Sequence, residues 1–331
     1  MLLVGRYEGG LIRGGAEVQL ELTRDLLRSA GHDAVIVSPE VQEWGDIVHF
    51  FGTSDYFWSL ASLCLEKGVP YVVSSIWYEG GSRRDVWMAR KKRELEMRYP
   101  RKSRKLLKGA ERILVPSEDI KWRLASFFDT DQAKCEVVPS GAIDSSFYDA
   151  RPEIARQLFG LEDRYAVCVG NFLERKNQLN LIRALKGVGL QVVFAGGPSD
   201  QAYYDKCVAE ASGGNFRFLG NVGHEGGVLA SLVAGSVAFY MPSRLEDFLI
   251  SGVEAGALGK PILLGSGWNG PEIYGEHASF VDPDDIDGIR AMAVVTSAIG
   301  DSEEKAEWFR ERYSREALLE RTLEIYGMAL E

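Results

Sequence analysis

The sequence predicts an α/β protein built from two doubly wound halves that face each other across a cleft. Three observations point there. Short apolar runs of strand length alternate with segments of helical period, and this scheme runs twice along the chain. Several of the strand-like runs end in glycine-containing loops, the usual place for a ligand in an open α/β sheet. The chain has 331 residues, more than one ordinary core accommodates.

Met1 to Val4 reads as a first strand. The glycine-rich loop GRYEGGLIRGGAE follows, then a helix whose apolar positions Val18, Leu22, Leu26 and Leu27 keep helical spacing up to Gly31. DAVIVS is the next strand, which makes a crossover unit of a parallel sheet. Gly10, Gly14 and Gly15 do not fit the dinucleotide fingerprint. DIVHFFG, VPYVVSSI, RILVPS and CEVVPSG continue as strands, with helices over DYFWSLASLCLEKG, the basic segment from Arg83 and DIKWRLASFF. AIDSSFYDARP reads as a connection between domains. In the second half YAVCVGNF, LQVVFAGG, NFRFLGNV, GSVAFYMPS, ILL and ASFVDPDD are strands. The tail from Ser302 forms one or two amphipathic helices. Domains are expected over 1–150 and 151–310, with 311–331 a helix packing back toward the first.

The apolar fraction of 46% is ordinary for a globular protein, and no apolar run is long enough to cross a bilayer. The start of the chain lacks a signal-like segment. Cys64, Cys135, Cys168 and Cys207 are scattered, which fits neither a zinc site nor a disulfide framework. A cytoplasmic location is expected. The net charge of −10 is uneven. Residues 1–145 hold 21 basic and 21 acidic side chains, so the second half carries the excess; Arg83 to Arg112 alone concentrates 13 basic residues against 4 acidic ones.

The stretch MPSRLEDFLISGVEAGALGKPIL, from Met241 to Leu263, organises the second half. Ile250 to Leu258 reads as a helix stopped by Gly259. Glu254 lies about a turn inside it, and Glu246 on the loop before it. Both can face one pocket at the helix N-terminus, whose unpaired N–H groups and positive dipole end suit a phosphate. Two solvated glutamates on an amphipathic helix are the plain alternative.

With those residues in view, the sequence resembles the retaining sugar-nucleotide glycosyltransferases of glycosyltransferase family 4, which have the two-domain, Rossmann-like GT-B fold. Gly14-Gly15-Ala16-Glu17, ILVPSEDIKWRL, EVVPSGAIDSSFY, VGNFLERKNQLNLIRAL, FLGNV, the Met241–Leu263 stretch and GPEIYGEHASFVDPDD match its landmarks in order and spacing. The resemblance runs from about Gly14 to the end of the chain.

That resemblance implies a donor that is a nucleotide-diphosphate sugar and an acceptor that is a glycan or lipid-linked. Arg175 and Lys176 would stabilise charge on the leaving diphosphate. Glu246 would contact the donated sugar and Glu254 the ribose diol. Phe248, Leu249 and Ile250 would line the phosphates and sugar, the last two through backbone N–H groups. Gly14 and Gly15 would let backbone approach the diphosphate. Asn171, Asn221 and Val222 would also border the donor, the last two beside the nucleobase. His49, at the end of DIVHF, is an acceptor-side candidate, with a structural histidine as the alternative. No cofactor and no metal is expected, and front-face attack leaves Glu246 without a nucleophile's role. The family's Glu-Gly-Phe-Gly loop reads Glu246-Asp247-Phe248-Leu249 here, so the sugar pocket is expected to differ. The family's histidine after its Pro-Val-Val-Val strand is replaced by Ile76, followed by Trp77. His224 and His277 receive no role.

Arg83–Lys108 interleaves its cations with Trp87, Met88, Leu95, Met97 and Tyr99. Such a helix can lie on an anionic membrane, giving a peripheral position on its inner face. A solvated basic helix with its apolar residues toward the core is the alternative. Nucleic acid is not expected, because the acidic second half repels it. Two rival functions stay open beside the transferase: a non-catalytic sugar-nucleotide-binding protein and a sugar-nucleotide epimerase.

Overall fold

Alternation along single strands decides the architecture. All four residues of Val48–Phe51 are buried. Val48 and Phe50 join one apolar cluster and Phe51 another. Val73 and Val72 divide in the same way, as do Ile113 and Leu114. A sheet buried on both faces gives near-continuous apolar strands, and that is the parallel arrangement.

The computed structural model describes residues 1–6, 15–38, 43–76 and 101–331. The chain divides into two units, Met1–Ala142 with Arg315–Glu331, and Ile143–Ser314. The strands of the first are β1 Leu2–Val4, β2 Val35–Ile36, β3 Val48–Phe51, β4 Tyr71–Ser74, β5 Arg112–Val115 and β6 Cys135–Val137. They form one parallel sheet in the order β2-β1-β3-β4-β5-β6. Its helices are α1 Gly15–Ser29, α2 Trp58–Lys67, α3 Arg101–Gly109 and α4 Glu118–Phe128.

The second unit holds β7 Tyr165–Val169, β8 Gln191–Ala195, β9 Phe216–Phe218, β10 Ala238–Met241, β11 Ile262–Gly265 and β12 Ser279–Val281. Its helices are α5 Pro152–Phe159, α6 Gln178–Leu185, α7 Gln201–Glu210, α8 Val228–Ala234, α9 Ile250–Ala257, α10 Gly270–Tyr274, α11 Ile286–Thr296 and α12 Glu303–Arg312. The sheet is again parallel, ordered β12-β11-β10-β7-β8-β9. Strand order therefore reverses between β7 and β10, and the loops leaving those two strands diverge to opposite faces.

The final helix, α13 Arg315–Leu330, returns to the first unit. Leu318, Ile325, Tyr326 and Ala329 bury one stripe of it in the cluster that holds Leu3, Leu27 and Phe51. Burying a leucine or isoleucine of this kind contributes roughly 1.5–3 kcal/mol. Tyr326 adds a polar tie, because its hydroxyl lies 2.7 Å from His49 Nδ1.

Three helices go beyond the sequence reading. α5 begins with Pro152, which fixes φ where no N–H partner is needed, and ends at left-handed Gly160. α10 likewise starts with a proline in its first turn. α11 is capped by Asp285, whose carboxylate accepts from Gly288 N. Exposed Val294 and Val295 blur its amphipathic pattern, which is why periodicity alone misses it. Among the described residues no helix is long and apolar enough to cross a membrane.

Candidate functional site

The carboxyl ends of β7 and β10 carry the chemistry. After β7 the chain turns at Gly170, whose φ of +155° favours glycine. A Cβ there would come within 3.1 Å of Met241 and 3.2 Å of the Lys176 stem, so the bare backbone lets that lysine lie flat. A short 3-10 turn, Glu174–Lys176, follows. Helix α6 starts only at Gln178, because Asn177 takes a left-handed conformation. The Asn177 amide then donates to Pro242 O at 3.0 Å and to Pro283 O at 2.6 Å. Arg244 N donates to Arg175 O at 2.7 Å, which ties the β7 loop to the β10 loop.

This stitching places three of the predicted residues together. Arg175 Nη1 donates to Glu246 Oε2 at 2.6 Å, and Lys176 Nζ to Glu246 Oε1 at 2.7 Å. Ser243 Oγ donates to the same Oε1 at 3.0 Å, and Arg175 also reaches Leu245 O. Burial opposes ionisation of Glu246, but Lys176 and Arg175 together outweigh it and hold the carboxyl below its usual range. The arrangement is two cations converging on one buried carboxylate beside the N-terminus of α6.

Glu254 lies one turn into α9, as its spacing predicts, and is buried. It meets a partner that sequence reasoning left without a role: His224 Nε2 lies 2.8 Å from Glu254 Oε1. Burial raises the Glu254 pKa, and the His224 hydrogen bond pulls it back. A lone histidine in a glycine-rich loop carries no signal in the sequence; only the fold brings it over α9. Tyr274 ties down the start of α9. Its hydroxyl donates to Leu249 O at 2.6 Å, and it lies within electrostatic range of both Glu246 and Glu254.

Leu249 is the N-cap of α9, and its side chain is 3% exposed, turned into the core. The departure from glycine at this position is therefore absorbed by packing. Among the described residues the N–H groups of Leu249 and Ile250 donate to no protein acceptor, as first-turn donors of a helix do. Phe248 is half-buried and its ring packs 5.8 Å from that of Tyr313.

Asn171 and Asn221 meet over the end of β8. Asn171 Oδ1 accepts from Gly197 N at 3.3 Å. A Cβ on Gly197 would lie 2.7 Å from Asn221 Oδ1, so the bare glycine leaves that amide its place. Asn221 is exposed and Val222 half-buried at the same rim.

In the first unit, Gly14 and most of the basic segment, 83–100, lie outside the described residues. Gly15 opens α1, and a Cβ there would meet nothing within 4 Å. His49 is 1% exposed, with Nδ1 on Tyr326 and Nε2 2.9 Å from Ser74 Oγ. Burial pushes its pKa down to about 3. Both ring nitrogens serve the fold, so the acceptor-side role gives way to the structural one. On α3, Leu106 and Leu107 are fully buried while Arg101, Lys102 and Lys105 face outward.

Comparison with known proteins bears on the fold of both units. Residues 150–312 match the family described as glycosyl transferases group 1. O-antigen chain mannosyltransferase B of Escherichia coli is 28% identical over 135 residues. That match covers 38% of this chain and 35% of the relative, about a third of its length. A glycosyltransferase from Rickettsia africae ESF-5 superposes with a TM-score of 0.77 at 14% identity, covering 100% of this chain and 98% of its own. Anabaena Alr3699/HepE, solved in complex with UDP and glucose, gives 0.73 at 14% identity, covering 98% and 99%. At such identities the likeness shows the fold, which is that of GT-B glycosyltransferases.

Proposed function

We propose that the protein is a retaining, metal-independent glycosyltransferase that moves a hexose from a nucleotide-diphosphate sugar to a glycan or lipid-linked acceptor. One observation carries the reading: Arg175, Lys176 and Glu246 converge at the strand-order reversal of the unit that matches the glycosyl transferases group 1 family. The leaving group in such a reaction is an anion. Two fixed cations and the free N–H groups at the start of α9 can stabilise its developing charge. Asn171, Asn221 and Val222 border the nucleoside, Glu254 takes the ribose diol and His224 holds Glu254 in place. Glu246 is held by three donors, which suits a sugar-binding carboxylate better than a free nucleophile. Retention then follows from front-face attack, with a donor phosphate oxygen taking the acceptor proton.

The test combines a thermal-shift screen of nucleotide diphosphates and their hexose conjugates with an assay for released nucleotide diphosphate. A bound donor raises the melting point. Release that needs the acceptor, keeps its rate in EDTA and yields a product with the donor's anomeric configuration is the expected result. Binding without release would leave a sugar-nucleotide-binding protein.

The same reading includes an anionic membrane surface near Arg83–Lys108. On its described end the apolar side chains of α3 point inward, so contact there is electrostatic and should be screened by salt. Sedimentation with anionic vesicles at low salt, and none with neutral vesicles, is expected. Equal behaviour on both would remove the membrane from the reading.

A further inference from the structure

Asp247 follows Glu246 directly, yet its surroundings are opposite. Glu246 has three hydrogen-bond donors. Asp247 is 3% exposed, and its Oδ1 is enclosed without a hydrogen-bond partner among the described residues. Its main chain is nevertheless fixed, because Asn269 Nδ2 donates to Asp247 O at 3.0 Å. Asn269 lies on the loop that leaves β11, and Asp247 on the loop that leaves β10; the two strands pair in parallel. On the same loop the Trp268 indole N–H is also enclosed and unpartnered. An enclosed polar group without a partner costs about 1–3 kcal/mol, so two on adjacent loops at one sheet end call for a reason.

We propose that Asp247 is a sugar-reading residue: its enclosed, unpartnered carboxyl hydrogen-bonds one hydroxyl of the donated hexose. This rests on the glycosyltransferase reading above and adds to it a discriminating side chain where the resembled family has glycine. The position suits the role. Asp247 directly follows Glu246 on the loop that leaves β10 and lies within electrostatic range of both the Glu246 carboxylate and the Arg175 guanidinium. Burial first, and then the Glu246 charge, push its pKa well above the usual carboxylate range, against the pull of Arg175. A carboxyl kept neutral can donate to a hydroxyl oxygen and accept from the same or a neighbouring hydroxyl. Ionised Glu246 can only accept. The two adjacent carboxyls thus present different hydrogen-bonding patterns to a sugar, which is how a site separates epimers that differ at one hydroxyl.

The experiment measures affinity by calorimetry for UDP, GDP and ADP and for their glucose and mannose conjugates, with wild type, Asp247→Ala and Asp247→Asn. For the nucleotide that binds wild type, both variants should hold the bare diphosphate as wild type does, which also reports that they fold. Asp247→Ala should weaken the sugar conjugate about tenfold relative to the bare nucleotide, and Asp247→Asn, which keeps a neutral donor and acceptor, should restore most of it. In wild type, a deoxy or fluoro substitution at one ring position should reproduce the loss, and in Asp247→Ala it should have no further effect. Equal loss of bare and conjugated nucleotide, no loss of either, or an Asn variant as weak as Ala would overturn the proposal. Failure of wild type to bind any of these ligands would instead remove the glycosyltransferase reading beneath it.

Discussion

Lys176→Ala will lower turnover by about 10²–10³-fold, the usual effect of removing one group that stabilises charge developed only in the transition state. The lysine is well placed for this. Its side chain is 11% exposed, its stem passes the bare backbone of Gly170, and its ammonium is 2.7 Å from Glu246. A cation so confined has little reorganisation to undergo when a diphosphate leaves. The competing effect is on stability, since removing one member of a buried ion pair can cost about 3–5 kcal/mol. Here the loss falls below that range, because Glu246 keeps Arg175 at 2.6 Å and Ser243 at 3.0 Å. Nucleotide-diphosphate release at saturating donor, set beside the melting curve, separates the two effects. A variant that melts near wild type but turns over at the wild-type rate would take Lys176 out of the chemistry. Lys176→Arg should rescue poorly, because a planar fork does not fit where the lysine stem passes the bare Gly170 backbone.

Much of this was legible in the sequence, and the limits have physical causes. The twelve described strands lie where apolar runs mark them, most plainly the central ones such as Val48–Phe51 and Tyr165–Val169, because a sheet covered on both faces leaves few polar positions to confuse the pattern. Glu246 and Glu254 could be placed on loop and helix by spacing alone. The Arg175–Lys176–Glu246 cluster came from the family resemblance; its partners are some 70 residues away, and no local rule connects them. His224 and Tyr274 escaped for the same reason: each acts through a contact that only the fold creates, whereas Ser243 reaches Glu246 from three residues away on the same loop. For His49 the sequence left an acceptor-side and a structural reading open, since a strand end is where functional residues gather and its partner Tyr326 is 277 residues on. Asp247 was visible as a departure from the family pattern, but a carboxyl without a partner is a property of packing and cannot be read from composition.

Glu246→Gln should separate two affinities that most active-site substitutions reduce together. Without a donor, Glu246 neutralises one of the two charges that Arg175 and Lys176 bring. A bare nucleotide diphosphate must compete with that carboxylate for the same cations. Glutamine keeps the size and an acceptor oxygen but removes the competing charge, so the bare diphosphate should bind about tenfold more tightly, a gain of about 1.4 kcal/mol. Transfer should move the other way and fall by about 10²-fold or more, because the amide holds the sugar hydroxyls less strongly and the cations are no longer shared between phosphate and sugar. Calorimetry with UDP or GDP and initial rates with the matching donor give both numbers. The pH dependence follows the same charge. The Glu246 pKa is lowered in the folded protein, so its contribution to stability is present above the ordinary carboxylate range and is lost as pH falls through the depressed value. Wild type should therefore approach the Gln variant in diphosphate affinity only in acid below that range. If Glu246→Gln weakened bare nucleotide and donor alike, the carboxylate would be holding the cations in place rather than competing for them. The phosphate site would then depend on all three side chains as a single unit.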